Sequence, residues 1–270
     1  MSTRDAYPPG VPCWVDTLQP DPEAATRFYA ELFGWEFAEP GPMAGEQPGR
    51  YFVARLRGSE VAGIASIPPH VPSAAWNTYV SVASADDAAE RATGAGGAIV
   101  LAPLDAPPAG RLAVLADPAE AVFCVWESRH RQGAQLVNEP SAWSMSFLQT
   151  PDQEGAKAFY AAVFGWRDEP FAAGDAEITL WRLPGYVGGE PGQPVPRDVV
   201  AALMPLEGEQ APPHWSVDFW IDDADAAAAT AARLGGAVVV APYDTPAFRQ
   251  AVLADPQGAV FTVSQRTAGT

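Results

Sequence analysis

The chain has 270 residues, of which 16 are Lys or Arg and 33 are Asp or Glu, giving a formal net charge of −17. This excess of negative charge repels phosphate backbones and anionic lipid surfaces, so we expect neither nucleic acid nor a membrane as a partner. No apolar run reaches the length of a membrane span, and residues 1–10 lack the apolar segment of a signal peptide. Two cysteines are too few for a disulfide framework, which favours a cytoplasmic protein.

Residue periodicity, Gly and Pro breaks and candidate helix caps predict the elements of the first half in chain order. A strand and a helix come first, followed by three strands, the last two joined by a tight turn at Gly58-Ser59. A proline-rich segment at 68–73 then leads into a second unit with the same order. The predicted elements are strand 13–18, helix 22–33, strands 35–37, 50–57 and 61–67, and then strand 76–82, helix 85–93 and strands 98–101, 111–115 and 121–126.

The end of the first predicted helix introduces a repeat. Residues 28–35 have the sequence FYAELFGW, and residues 159–166 have the sequence FYAAVFGW. Each copy follows an acidic cap candidate, Asp21 or Asp152, and contains a glycine where a helix needs a left-handed terminal residue. A repeat of eight residues, with matching elements before and after it, indicates two homologous halves.

Further repeated segments divide each half into two units. Residues 76–82 and 215–221 each precede an alanine-rich helix, and the sequence AVLADP occurs at 113–118 and again at 251–256. The chain is therefore predicted to be an α+β protein of four βαβββ units, with a first domain at 8–130, a polar linker at 127–138 and a second domain at 138–266. The order of elements leaves open whether unit 1 pairs with unit 2 or with unit 4.

This arrangement resembles the vicinal oxygen chelate superfamily, which includes glyoxalase I, bleomycin-resistance proteins and extradiol dioxygenases. The likeness rests on the FY-x(3)-FG-W motif, on the ADP segment and on the strand that follows it, which begins EAVF at 120–123 and GAVF at 258–261. It covers residues 11–265 and is most similar to fused, two-domain proteins of actinobacteria. The resemblance implies curled mixed sheets around a cavity, with the helices outside. It does not imply one activity, because this fold carries many chemistries.

In metal-dependent members of the superfamily the ligands come from the first strand of a unit, the first strand of its partner and the last strand of each pair. The resemblance places six residues of this chain at those positions: Trp14, Asn77 and Cys124 in the first half, and Met145, Ser216 and Thr262 in the second. A divalent ion at such points needs His, Asp, Glu or several thiolates. We therefore expect no metal ion and no other cofactor.

Strand alternation assigns residues to the inner face once these positions are taken as inward. The inner faces are predicted to be aromatic with a few polar groups, a composition typical of a pocket for a flat organic ligand. Each Trp could equally be a core residue. The predicted ligand-binding residues are Trp14, Asp16, Asn77, Tyr79, Cys124 and Trp126 in the first half and Phe147, Ser216, Asp218 and Trp220 in the second.

Two inward carboxyl groups are candidates for acid–base chemistry. Asp16 and Asp218 would be costly to bury unless they are paired or solvated, and desolvation would raise their pKa. Asp218, with His214 on the same strand, and Asp16 are the candidate catalytic residues; the alternative is a hydrogen-bonded carboxylate at the rim. Arg111 and Arg249 occupy equivalent positions, and we expect them to pair with the aspartates of the ADP segments or with a loop carbonyl.

Together these features favour a metal-free protein that binds a bulky aromatic natural product, for sequestration or as an accessory to biosynthesis. One alternative is an enzyme of the same fold, a lyase, isomerase or cofactor-independent oxygenase-type auxiliary that uses Asp or His. Another is a silent protein-interaction partner. The expected partner is a small molecule, and the chain is expected to be a monomer or a homodimer.

Overall fold

The computed structural model describes residues 3–45, 47–69, 71–173, 176–188, 196–206 and 212–267. The four helices are α1 (Pro22–Phe33), α2 (Ala85–Gly94), α3 (Gln153–Phe164) and α4 (Ala224–Arg233). The strands of the first half are β1 (Pro12–Gln19), β2 (Glu36–Phe37), β3 (Gly41–Pro42), β4 (Arg50–Leu56), β5 (Ser59–Ser66), β6 (Ala75–Ser81), β7 (Ala98–Ala106), β8 (Gly110–Ala116) and β9 (Val122–Ser128). Those of the second half are β10 (Trp143–Thr150), β11 (Arg167–Ala173), β12 (Ala176–Arg182), β13 (Val199–Pro205), β14 (His214–Ile221), β15 (Ala237–Asp244), β16 (Phe248–Ala254) and β17 (Val260–Arg266).

Local sequence signals set the ends of the repeated helices. The side chain of Asp21 accepts a hydrogen bond from the backbone of Ala24 and so caps α1, with Pro22 at its start. Gly34 ends α1 in the left-handed conformation, at φ 71°. Asp152 and Gly165 do the same for α3. None of the described helices has the length and apolarity needed to cross a bilayer.

The first half forms one mixed sheet with the strand order β2-β4-β5-β1-β6-β9-β8-β7, and β3 pairs with β4. At its centre β1 is antiparallel to β6, the first strand of the second unit. Units 1 and 2 therefore share a sheet, which resolves the pairing that the sequence left open. The turn between β4 and β5 contains Arg57 and Gly58, both at positive φ, as a tight hairpin requires.

The second half repeats this plan in a sheet with the order β11-β12-β13-β10-β14-β17-β16-β15. Its central pair is again antiparallel, between β10 and β14, and β14 runs parallel to β17. The Gly/Pro-rich loop that distinguishes this half spans 185–197 in the sequence, and positions 189–195 of it lie outside the described residues.

The two halves share one hydrophobic core, because the first helix of each half, α1 or α3, packs against a strand of the other half. The ring of Phe33 on α1 lies 5.0 Å from that of Phe219 on β14, between ring centroids. The ring of Phe159 on α3 lies 6.0 Å from that of Phe123 on β9. The helix-facing sides of both sheets are thus buried, and we call the opposite side of each sheet its inner face.

Candidate functional site

The inner face of the first half is organised around the carboxyl group of Asp16, which is 1% exposed. Its Oδ1 accepts a hydrogen bond from Asn77 Nδ2 at 2.9 Å, and its Oδ2 accepts from the hydroxyls of Tyr79 at 2.8 Å and Tyr51 at 3.1 Å. Burial raises the pKa of Asp16, and these three hydrogen bonds oppose the rise. Asp16, Asn77 and Tyr79 were predicted to lie together, and the structure brings them into contact.

Tyr51 reaches Asp16 from β4 because the strand between them carries no side chain at the crossing point. Gly63 on β5 pairs with Asp16 on one side and with Val53 on the other. A Cβ atom on Gly63 would lie 2.1 Å from the Tyr51 hydroxyl oxygen, so any side chain there would displace the ring. Sequence reasoning missed Tyr51, although the glycine inside a predicted strand was a signal of a close approach.

The tryptophans of this face make their polar contacts within the protein. Trp14 Nε1 donates to the Tyr51 hydroxyl at 2.8 Å, and Trp126 Nε1 donates to the carbonyl oxygen of Arg131 at 2.8 Å. The Arg131 guanidinium lies over the Trp14 ring, 5.5 Å from its centroid, and bonds to Glu60 at 2.9 Å. Arg131 therefore covers part of the aromatic face, and a cleft of about 360 Å³ is lined by Arg131 and its neighbours and by Arg4 and Asp5 of the N-terminal segment.

The inner face of the second half contains a second buried carboxyl group, that of Asp218, which is 3% exposed. Its Oδ2 accepts from Ser144 Oγ at 2.6 Å and its Oδ1 from Ser264 Oγ at 2.5 Å. Burial raises the pKa of Asp218 to about 7, against the lowering effect of the two serine hydrogen bonds. Both donors are neutral, so neither of the two hydrogen bonds seen among the described residues comes from a cation that would hold the carboxyl group ionised.

Ser144 joins Asp218 through an irregularity that strand alternation does not predict. The register between β10 and β14 shifts between Trp143 and Met145, so that two residues oppose one, as in a β-bulge. Met145 keeps its predicted inward position opposite Asp218, and the extra residue, Ser144, also reaches the inner face.

The surroundings of Asp218 are more exposed than those of Asp16. Met145 and Phe147 on β10 are partly exposed, as are Thr262 on β17 and Gln250 on β16. Among the predicted binding residues of this half, Ser216 and Trp220 are buried. In the first half Trp14, Tyr79, Cys124 and Trp126 are all buried, and Asn77 is half-buried.

His214 and Asp218, two of the candidate catalytic residues, lie two pleat repeats apart on β14 and do not contact each other along the strand. His214 begins β14, and three residues lie between it and Asp218, so four residue steps along the strand separate them by about 13 Å. The imidazole Nδ1 of His214 instead lies 2.9 Å from the carbonyl oxygen of Pro212. The structure therefore offers no His–Asp pair at this position.

The residues at the family's metal positions do not form a ligand set. Among the described residues there is no group of three or more His, Cys, Asp or Glu that could hold a metal ion. Cys124 is the one thiol at these positions, and burial raises its pKa well above the ordinary value, which disfavours the thiolate that a metal would need. The donor set does not fit a divalent ion.

The repeated arginines were expected to form a structural pair with the ADP aspartates or a loop carbonyl; they do form ion pairs, but the expected partners are wrong. Arg111 binds Asp86 in the first turn of α2, with its Nε 2.9 Å from Oδ2, and Arg249 binds Asp225 in the first turn of α4. The ADP aspartates accept hydrogen bonds from their own turns, as Asp117 Oδ1 does from the backbone of Ala121. The arginines fasten each helix to its neighbouring strand and do not contribute to a site.

Comparison with known proteins identifies the family. The model of a glyoxalase-like domain matches residues 14–126 and again 132–264. The chain is 38% identical over 270 residues to the "Putative glyoxylase CFP32" of Mycobacterium tuberculosis, covering 97% of each chain. It is 33% identical over 281 residues to the "Anthracycline biosynthesis protein DnrV" of Streptomyces peucetius, covering 97% of this chain and 96% of that one.

The fold also matches that of a solved enzyme. The Mn(II)-bound glyoxalase from Novosphingobium aromaticivorans superposes with a TM-score of 0.62 at 18% identity, over 95% of this chain and 82% of that one. At this identity the likeness concerns the fold alone. The twofold match of the domain model, together with full-length relatives above 30% identity, shows that the chain belongs to the glyoxalase-like domain family of the vicinal oxygen chelate superfamily.

Proposed function

We propose that this protein binds a bulky, mainly aromatic small molecule without a bound metal ion, and that it sequesters that molecule or assists its biosynthesis in the cytoplasm. The observation that carries the proposal is the composition of the inner faces. Where metal-dependent members of the superfamily place their ligands, Trp14 and Cys124 are buried in this chain, whereas Met145 and Thr262 are partly exposed, as is Phe147 near them on β10. Aromatic and thioether surface with a few hydrogen-bonding groups suits an organic ligand better than an ion.

The relatives narrow the class of ligand. The name of the Streptomyces peucetius protein refers to anthracycline biosynthesis, and a second relative with such a name, from Streptomyces sp. (strain C5), is 34% identical over 277 residues. Anthracyclines are planar polycyclic aromatic compounds that carry hydroxyl and keto groups. A ligand of this kind would present ring faces to aromatic side chains and oxygen atoms to buried polar groups.

The free cysteines agree with the proposed compartment. Cys13 and Cys124 are both buried and unpaired. Unpaired thiols persist in a reducing compartment, and this supports the cytoplasm.

The test is a titration of the purified protein with an anthracycline, followed by quenching of tryptophan fluorescence and by calorimetry. We expect saturable binding at a stoichiometry of one or two per chain, unchanged after treatment with EDTA and unchanged by added Mn²⁺. The same titration of the chain unfolded in urea is the control for stacking on exposed tryptophans. Absence of saturable binding across a panel of polycyclic aromatic compounds would contradict the proposal.

The raised pKa of Asp218 favours an acid–base enzyme as the second candidate function. The two functions are separated by recovering the ligand after incubation and analysing it by mass spectrometry. An accessory binding protein returns the ligand unchanged, and Asp218→Asn then alters affinity alone. An enzyme converts the ligand, and the same substitution abolishes turnover. If neither binding nor turnover is found, the silent interaction partner becomes the better account.

A further inference from the structure

The inner faces of the two halves differ in how far their side chains are exposed, and this difference indicates where a ligand has room to bind. On the first half the aromatic side chains are buried: Arg131 stacks on Trp14, and its carbonyl oxygen accepts a hydrogen bond from Trp126. The indole nitrogens of Trp14 and Trp126 are both used in hydrogen bonds to the protein. The three hydrogen bonds to Asp16 likewise come from the protein itself. This face is filled by its own side chains.

On the second half Arg266 likewise lies over the ring of Trp220, 5.2 Å from its centroid, but other residues of this face are partly exposed. Strand register places Met145, Asp218, Thr262 and Val252 in one row across four adjacent strands, β10, β14, β17 and β16. Met145, Thr262 and Val252 are partly exposed and uncharged, whereas Asp218 is buried. Phe147 extends this surface along β10, where it is also partly exposed.

A line of polar groups leads from the floor of this surface to its edge. Ser264 Oγ donates to Asp218 and accepts from Gln250 Nε2 at 2.9 Å. The hydroxyl of Tyr243, on the edge strand β15, lies 3.4 Å from Gln250 Oε1, and Tyr243 is 41% exposed. Every member of this line other than Asp218 is neutral, and the salt bridges formed by the described residues do not include Asp218.

We propose that the inner face of the second half is the ligand-binding surface, and that the Ser144–Asp218–Ser264 group anchors a neutral aromatic ligand through one of its keto or hydroxyl oxygens. This inference rests on the proposed function and specifies its site. A ligand lying over Met145 and Phe147 has its ring face against apolar side chains while its edge faces the three polar residues. The two hydrogen bonds that Asp218 accepts among the described residues come from neutral donors, and the Arg266 guanidinium on the same face lies over the Trp220 ring, 5.2 Å from its centroid.

The neutral form of Asp218 suits this role. A carboxylic acid has one O–H donor as well as acceptor capacity, so it can donate to a keto oxygen or accept from a phenol. Burial favours this form near neutral pH. Among the described residues, Asp218 accepts hydrogen bonds from Ser144 on β10 and Ser264 on β17, and the hydroxyl of Tyr243 on β15 lies close enough for the carboxylate to raise its pKa.

The test compares two probes with the same ring system, a hydroxyanthraquinone and anthracene, on wild-type protein and on single variants. Asp218→Ala should weaken binding of the hydroxyanthraquinone about tenfold, the effect of losing one hydrogen bond, and leave anthracene binding within about twofold. Phe147→Ala should weaken both probes. Phe147 is partly exposed, so this variant keeps the test valid if Asp218→Ala fails to fold.

Tyr51→Phe is the matched control, since it removes one hydroxyl donor from the buried carboxyl group of the other half. It should leave the affinity for both probes within about twofold. Binding that responds to Tyr51→Phe but not to Asp218→Ala or Phe147→Ala would overturn this inference and leave the proposed function standing. Failure of wild-type protein to bind either probe would overturn both.

Discussion

The hydroxyl of Tyr29 donates to Asp255 Oδ2 at 2.9 Å, and this bond joins a helix of the first half to the ADP turn of the second. The reciprocal bond runs from Tyr160 to Asp117 Oδ2 at 3.2 Å. In each pair the tyrosine belongs to the repeated FY motif and the aspartate to the repeated ADP segment of the other half. The two most prominent repeats of the sequence are therefore connected across the interface between the halves.

Tyr29→Phe should lower the free energy of unfolding by about 1–3 kcal/mol, because two hydrogen bonds are lost at a fully buried position. The hydroxyl that donates to Asp255 also accepts from Trp76 Nε1 at 3.1 Å, and that indole nitrogen would be left without a partner. The measurement is urea unfolding followed by circular dichroism. Tyr243→Phe, at an exposed tyrosine, is the control and should change stability by less than about 0.5 kcal/mol. Equal effects in the two variants would contradict the role of Tyr29.

Phe159→Ala should cost about 3–5 kcal/mol, the range for removing a buried phenylalanine. Phe159 is 2% exposed, and its ring fits against Gly97, where an added Cβ would come within 2.8 Å of it. Phe28→Ala should cost a similar amount, because Phe28 is 4% exposed. Val239→Ala, at a residue 54% exposed, provides a control expected within about 0.5 kcal/mol of wild type. A loss below about 1 kcal/mol for either phenylalanine would show that the ring is not part of the core.

Local sequence signals were sufficient to predict most of the helices and strands. The helix predicted at 22–33 coincides with α1, because a capping aspartate, a proline at the first position and a terminal glycine define both ends. The strand predicted at 98–101 continues in the structure to Ala106 as β7. Pro103 would interrupt a central strand, but β7 lies at the edge of its sheet, where a missing backbone donor is tolerated.

Only part of the candidate site could be predicted from the sequence. Strand alternation is a local property that assigns residues to a face of the sheet, whereas contacts between side chains depend on residues far apart in the chain. It placed Asp16, Asn77 and Tyr79 on one face, and hydrogen bonds join them. It could not find Ser144, which a β-bulge turns inward. Nor could it find Arg131, because a polar linker gives no sign of the surface it will cover.

Treatment with EDTA should leave the melting temperature unchanged. The residues at the family's metal positions have few donors, and the thiol of Cys124 is held in its protonated form by burial. Removal of a structural metal would otherwise lower stability, since metal binding is coupled to folding. The measurement is differential scanning calorimetry of protein purified without added metal, and a parallel sample with added Mn²⁺ is the control. Elemental analysis that finds a stoichiometric, tightly held divalent ion would contradict this prediction.

Asp218→Asn should stabilise the protein at about pH 8 and have little effect at about pH 4. In the unfolded chain an aspartate loses its proton near pH 4, whereas burial raises the pKa of Asp218 in the folded protein to about 7. Between these two values the folded state holds more protons than the unfolded state, so the free energy of unfolding falls as the pH rises. A shift of about three pKa units corresponds to a loss of up to about 4 kcal/mol above pH 7. Asparagine has no charge to bury and avoids this loss.

The measurement is urea unfolding of both proteins at several pH values between about 4 and 8. The raised pKa of Asp16 also makes the free energy of unfolding fall as the pH rises. The wild-type curve therefore contains the contributions of both aspartates. The difference in the free energy of unfolding between wild type and Asp218→Asn isolates the contribution of Asp218. This difference should grow steadily with pH. Glu90→Gln, at an exposed position on α2, should follow the wild-type curve. If the curves of wild type and Asp218→Asn are parallel, Asp218 is ionised throughout this range, and a cation or water must then stabilise it.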